Sequence, residues 1–120
     1  MKVLIVDDMA RARQSIKALL ATCPQVQEMC EAADGREALE LVAQWLPDAV
    51  VMDIQMAEMD GLQATGLIKA QWPGVKVILL SMYGAYEEQA RAVGADAFVN
   101  KGEPPTCLLD ALARIAGDTC

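Results

Sequence analysis

Asp7 and Asp8 follow the apolar run Val3-Leu4-Ile5-Val6, and Asp53 follows Ala49-Val50-Val51-Met52. A third run, Val77-Ile78-Leu79-Leu80, ends on Ser81, and a fourth, Ala97-Phe98-Val99, leads to Asn100-Lys101. Three carboxylates, a hydroxyl and an ammonium form a set suited to a divalent cation and a phosphoryl group. Crowded together, the carboxylates repel, so either one is protonated or a cation neutralises them. Hard oxygen donors with open positions suit Mg²⁺, which keeps several waters and pairs with phosphate. Taken singly, each residue also fits a plainer role. An aspartate at a strand end can cap the next helix, Ser81 can be a turn residue, Lys101 a solvated charge and Phe98 core. Joint chemistry requires that they converge, and convergence depends on the elements that carry them.

Short apolar runs separated by helical stretches read as buried strands of a parallel sheet. In such a sheet, ligands bind beyond the carboxyl ends of the strands. Strand and helix patterns alternate five times along the chain. After a strand at 3–7, Ala12, Ile16, Leu19 and Leu20 recur at helical spacing, and Cys23-Pro24 is expected to end that helix. Residues 26–32 read as a second strand. Gln27, Glu28 and Glu31 make it too polar for burial on both faces, which places it at a sheet edge. Asp34-Gly35 is a turn, and Ala38, Leu39, Val42 and Leu46 mark the next helix. Asp60 is placed to cap a helix carrying Ala64, Leu67, Ile68 and Trp72. A thin helix is expected over 85–93, ending at Gly94, and Pro104-Pro105 opens a last helix. Right-handed crossovers and the polar second strand predict an α/β fold: a doubly wound five-stranded parallel sheet of order 2-1-3-4-5 with five helices. Asp8 and Asp53 would then face each other where the winding direction reverses.

The 120 residues suit one domain spanning 1–120, and 54% hydrophobic content excludes disorder. A net charge of -7 argues against direct nucleic-acid binding by this chain. No apolar stretch approaches a membrane span, and Met1-Lys2 leads straight into a strand, so neither a membrane anchor nor a signal peptide is expected. Four cysteines without CxxC spacing and the absence of histidine argue against a zinc site or a disulfide framework. Reduced thiols and a cytoplasmic location are expected. Lacking histidine, the chain also lacks the usual triads.

Val3-Leu-Ile-Val-Asp-Asp8, Val51-Met-Asp-Ile-Gln-Met56, Met59-Asp-Gly61, Leu79-Leu-Ser81 and Gly94-Ala-Asp-Ala-Phe-Val-Asn-Lys101, in this order and spacing, closely resemble the receiver domain of two-component response regulators. The resemblance covers the whole chain, and its fold is flavodoxin-like. Met52-Asp-Ile-Gln-Met56 and Lys101-Gly102 are most similar to the NarL/LuxR-type subfamily of transcriptional regulators. The resemblance implies that Asp53 is the phosphoacceptor and that a sensor histidine kinase is the donor. It implies Mg²⁺ held by Asp8 and Asp53, by Asp7 mainly through water, and by the Gln55 backbone carbonyl. Ser81 would hydrogen-bond the phosphoryl group and Lys101 would pair with it. Phe98 matches the aromatic position that reorients on activation, so Ser81 and Phe98 form the implied switch. A homodimer formed on phosphorylation is a further implied partner. The subfamily favours a C-terminal DNA-binding domain beyond this chain over a stand-alone receiver.

Two positions depart from the family pattern. Ala57 stands where proline is usual, and Gly102 where many receivers have proline after the lysine, which makes a cis bond unexpected here. Neither removes a reactive group. By position, Tyr83 and Gln55 would flank Asp53 and tune the lifetime of its phosphoryl group. The resemblance describes a switch and not an enzyme. A rival reading is a phosphohydrolase using Asp53 as nucleophile. It lacks a histidine and an evident cap insertion. A flavodoxin-like cofactor binder is a second rival, but Met9-Ala10-Arg11 stands where a phosphate loop would be.

Overall fold

The computed structural model describes residues 1–116. Strands β1 (Lys2–Val6), β2 (Glu28–Ala32), β3 (Ala49–Asp53), β4 (Lys76–Ser81) and β5 (Ala97–Asn100) alternate with helices α1 (Ala10–Leu20), α2 (Gly35–Trp45), α3 (Gly61–Gln71), α4 (Glu87–Ala92) and α5 (Thr106–Ala116). All strand pairs are parallel, in the order β2-β1-β3-β4-β5 expected from the sequence. Period-two alternation sends successive side chains to opposite faces, and each face carries its own core. Leu4, Val6, Val50, Met52, Val77 and Leu79 meet α2, α3 and α4 through Val42, Ile68 and Ala90. Val3, Ile5, Val51, Ile78 and Leu80 meet α1 and α5 through Leu20, Leu108 and Leu112. The central runs read as continuously apolar because both faces are covered.

The edge strand obeys a different rule. Its burial falls away at Glu28, and Glu31 is satisfied by ion pairs to Arg13 and Lys17 of α1, at 2.9 and 3.0 Å. Those pairs hold the Glu31 carboxyl below the usual carboxylate range: the Lys17 hydrogen bond contributes most, then that of Arg13. β2 begins at Glu28 and not at 26, because the Val26 N–H turns back to the Cys23 carbonyl and Gln27 N–H goes to Met1. α1 ends at Leu20, before Cys23-Pro24. Thr22 and Cys23 donate to Leu19 and Leu20, tightening the chain into turns ahead of the proline. β1 likewise ends at Val6, and Asp7 already belongs to the rim.

Asp60 caps α3 reciprocally. Its carboxylate accepts the Gln63 N–H at 2.8 Å, and the Gln63 side chain accepts the Asp60 N–H at 3.2 Å. The expected 85–93 helix is split into a 3₁₀ turn at Gly84–Tyr86 and a six-residue α4, in which Ala90 alone is buried. Gly94 ends it at φ +94, a conformation that glycine adopts without strain. Among the described residues there is no cis peptide bond, and no helix is long and apolar enough to cross a membrane. Cys30 and Cys107 are free thiols, but Cys23 is disulfide-bonded, which corrects the expectation of reduced thiols throughout.

Candidate functional site

The rim beyond β1, β3, β4 and β5 gathers the expected residues. β1 delivers Asp7 and Asp8, and β3 ends on Asp53. Carboxylate oxygens of the three lie within 4.8 Å of one another. Asp7 is 1% and Asp53 7% exposed, whereas Asp8 faces solvent. Lys101, just past β5, places its ammonium 3.2 Å from Asp7 Oδ2 and 3.2 Å from Asp53 Oδ1. Three carboxylates against one ammonium leave two negative charges at the rim, the charge of one divalent cation.

Electrostatics follows from this crowding. Burial pushes the Asp53 carboxyl above its ordinary value. The Lys101 charge opposes that rise, and the Asp7 and Asp8 charges add to it. For Lys101, burial favours the neutral amine, but Asp53 and Asp7 outweigh it and hold the ammonium above its ordinary value. The ammonium is therefore a permanent charge at neutral pH.

Asp7 is already committed. Its Oδ1 accepts the Met9 N–H at 2.9 Å and its Oδ2 accepts from Lys101, while its own carbonyl accepts from Arg13 at 2.6 Å. Asp8 and Asp53 retain more open oxygen geometry. All these donors are hard oxygens, and the chain has no histidine, so the set fits Mg²⁺ better than zinc. Gln55 lies exposed in the loop two residues after Asp53.

Ser81 is fully buried at the end of β4, beside Asn100 in the sheet register. Its Oγ accepts the Tyr83 N–H at 3.0 Å, and its carbonyl accepts the Lys101 N–H at 2.8 Å. Tyr83 is 58% exposed, and its ring meets Tyr86 edge-on with centroids 6.4 Å apart. Phe98 is half-buried on β5 and packs with the core under α2–α4. Asp7, Asp8, Asp53 and Lys101 thus meet directly, and Ser81 joins through the Lys101 backbone. Phe98 stands on the adjoining strand. Sequence reasoning overlooked Arg13, whose guanidinium bonds both Glu31 and the Asp7 carbonyl. The available signal was the basic pair Arg13 and Lys17, one helical turn apart on α1, opposite an acidic edge strand.

Residues 3–113 match the family described as the response regulator receiver domain. The chain is 34% identical over 115 residues to the response regulator protein VraR of Staphylococcus aureus, covering 94% of this chain and 55% of that protein. It is 31% identical over 117 residues to the transcriptional regulatory protein DegU of Brevibacillus brevis, covering 96% and 50%. It therefore spans about half the length of these curated relatives. Among solved structures, a two-component response regulator of the LuxR family from Aurantimonas sp. superimposes with a TM-score of 0.91 at 30% identity, covering 98% of this chain and 86% of the other.

Proposed function

Because the chain belongs to the response regulator receiver domains, which are phosphorylation-dependent signalling switches, we propose that Asp53 is its phosphoacceptor and that Asp7, Asp8, Ser81 and Lys101 serve that carboxylate. The observation that carries this reading is the Lys101 ammonium shared between buried Asp53 and buried Asp7. An Asp53 oxygen attacks the phosphorus of a phosphohistidine on a sensor histidine kinase. A P–O bond forms, the P–N bond breaks, and its electron pair returns to the imidazole. Such transfers need in-line positioning and charge neutralisation more than covalent help. Lys101 supplies a fixed positive charge to the phosphoryl oxygens, and the Ser81 hydroxyl donates to one of them. Asp8, Asp53, the Gln55 carbonyl and, through water, Asp7 would hold Mg²⁺, which when bound neutralises charge on the transferring group. The product is a mixed anhydride, and the chain acts as a switch without turnover. Incubation with acetyl phosphate and Mg²⁺ tests this: one stable phosphate per chain supports the switch, and sustained hydrolysis of small phosphoesters supports a phosphohydrolase instead.

Asp8 carries the second prediction. It is the exposed, least committed carboxylate, so Asp8→Ala is expected to abolish Mg²⁺ binding in a calorimetric titration. Wild-type affinity in that variant would count decisively against the ligand assignment. Mg²⁺ is also expected to raise the melting temperature of the unsubstituted chain, because it binds the folded state and relieves carboxylate repulsion.

The output is proposed to be the face of α4, β5 and α5. Ser81 Oγ now holds the Tyr83 N–H. Turning toward a phosphoryl group would release that bond at the entrance to the 3₁₀ turn and the thin α4. It would also vacate space that the Phe98 ring could enter. Charge-assisted hydrogen bonds contribute roughly 1.5–3 kcal/mol each, enough to move a two-state equilibrium of similar gap. The face would then form a homodimer or release a C-terminal DNA-binding domain, in the cytoplasm, with no nucleic acid bound by this chain itself. Beryllofluoride mimics the phosphoryl group, and hydrogen exchange is expected to change across residues 82–101. Changes confined to the surroundings of Asp53 would refute the switch.

A further inference from the structure

We propose that Asn100 is a positioning residue for Lys101: its amide oxygen closes a turn over the Gly102 N–H, and that turn aims the ammonium between Asp7 and Asp53. The inference rests on the proposed role of Lys101 as the cation that meets the phosphoryl group. The Asn100 Oδ1 accepts the Gly102 N–H at 2.8 Å, an asparagine turn spanning the lysine. The same residue is bound twice more from the far side of the turn. Its carbonyl accepts the Glu103 N–H at 3.0 Å, and its own N–H donates to Glu103 Oε1 at 3.3 Å. Lys101 N–H donates to the Ser81 carbonyl at 2.8 Å. The lysine backbone is thus pinned from both neighbours and from β4.

The chemistry makes that root important. A lysine side chain is a flexible four-carbon stem ending in a point charge. Small rotations at its Cα sweep the ammonium through ångströms, yet here it sits at equal distances from two carboxylates. Gly102 is matched to the same device. A Cβ at 102 would lie 3.2 Å from Asn100 Oδ1, so the amide oxygen that accepts this N–H would have to give by a few tenths of an ångström. The hydrogen bonds of Asn100 across the turn run to Gly102 and Glu103, so its action passes through Lys101.

The test follows the time course of phosphorylation by acetyl phosphate, read by intact mass, in the unsubstituted chain and its variants. Asn100→Ala is expected to slow uptake on the order of tenfold, below the ~100-fold that a 1 Å misplacement can cost. Asn100→Ser should restore most of the rate, because its hydroxyl can close the same turn that Ser81 closes onto Tyr83. Gly102→Pro removes the N–H that Asn100 accepts, so Asn100→Ala added to Gly102→Pro should cause no further slowing. Mg²⁺ affinity of Asn100→Ala should not fall below the unsubstituted value, because an ammonium held less firmly between Asp7 and Asp53 competes less with the cation. A wild-type rate in Asn100→Ala overturns the proposal, as does failure of Asn100→Ser, or an equal loss in the proline background. If the unsubstituted chain itself takes no phosphate, the underlying reading of the site falls as well. A loss caused by misfolding would also lower Mg²⁺ affinity, and that result equally overturns a positioning role.

Discussion

Asp53→Ala is expected to take up no phosphate from acetyl phosphate, while the unsubstituted chain gains a single adduct in intact mass. The neighbouring acids are poor substitutes. Asp7 is buried with both carboxylate oxygens engaged, and Asp8 lacks the ammonium that pairs with Asp53. An adduct that survives the substitution unchanged would sink the assignment. The reaction should also be pH-dependent with a definite sign. The attacking species is the carboxylate, and burial holds Asp53 above its ordinary 3.8. Uptake should therefore fail on acidification, as Asp53 gains a proton and the site loses the Mg²⁺ that favours its carboxylate. The same shift bears on stability. With a folded pKa above the unfolded one, Asp53 favours the fold when protonated, and that contribution is lost as pH rises through the folded pKa. In the absence of divalent metal, Asp53→Ala should thus melt higher than the unsubstituted chain at neutral pH. An unchanged or lower melting temperature would mean that packing around Asp53 outweighs its repulsion.

Some parts of this architecture were visible in the sequence because one force dominates them. β3 and β4 are buried on both faces, so an apolar run that ends abruptly in Asp53 or Ser81 marks the point where the chain leaves the core for the rim. Asp60 could be placed because cap chemistry is local. The limits of α1 and β2 were not visible, because they depend on where a few N–H groups find partners. Thr22 and Cys23 close back on the helix, and Val26 turns back before the sheet begins. At the site, the acids and Lys101 were legible as chemistry-bearing residues at strand ends. Asn100 was not, since it acts on a backbone N–H that no side-chain pattern announces, and the basic pair on α1 pointed to the Arg13–Glu31 ion pair but not to the Arg13 bond with the Asp7 carbonyl. The disulfide at Cys23 was equally hidden, because cysteine spacing carries no information about which thiols meet in space.

Gly61→Ala is expected to lower the rate of phosphorylation about 100-fold, the scale of a 1 Å misplacement at a reacting group. Gly61 begins α3, and its N–H donates to the Ile54 carbonyl at 2.8 Å, closing the loop that leaves Asp53. The loop is closed so tightly that a Cβ at 61 would collide with the Asp53 carbonyl oxygen and sit 2.9 Å from Ile54 Cα. Both obstacles are backbone, so no side-chain rotation relieves them. Either β3 must shift at the phosphoacceptor itself, or α3 must draw away and lose the Gly61–Ile54 bond. The two responses are separable. Withdrawal of α3 would chiefly lower the melting temperature, with a few degrees lost for each ~1 kcal/mol. A shift of β3 would slow phosphoryl transfer even at temperatures where the chain is fully folded. Because Ile54 N–H is tied to Leu80 in β4 at 2.9 Å and Thr65 Oγ1 anchors the Gly61 carbonyl at 2.7 Å, both sides resist, and both effects should appear together. Gly61→Ala at the unsubstituted rate and melting temperature would show that the loop relaxes freely, and that the close approach of α3 does not position Asp53.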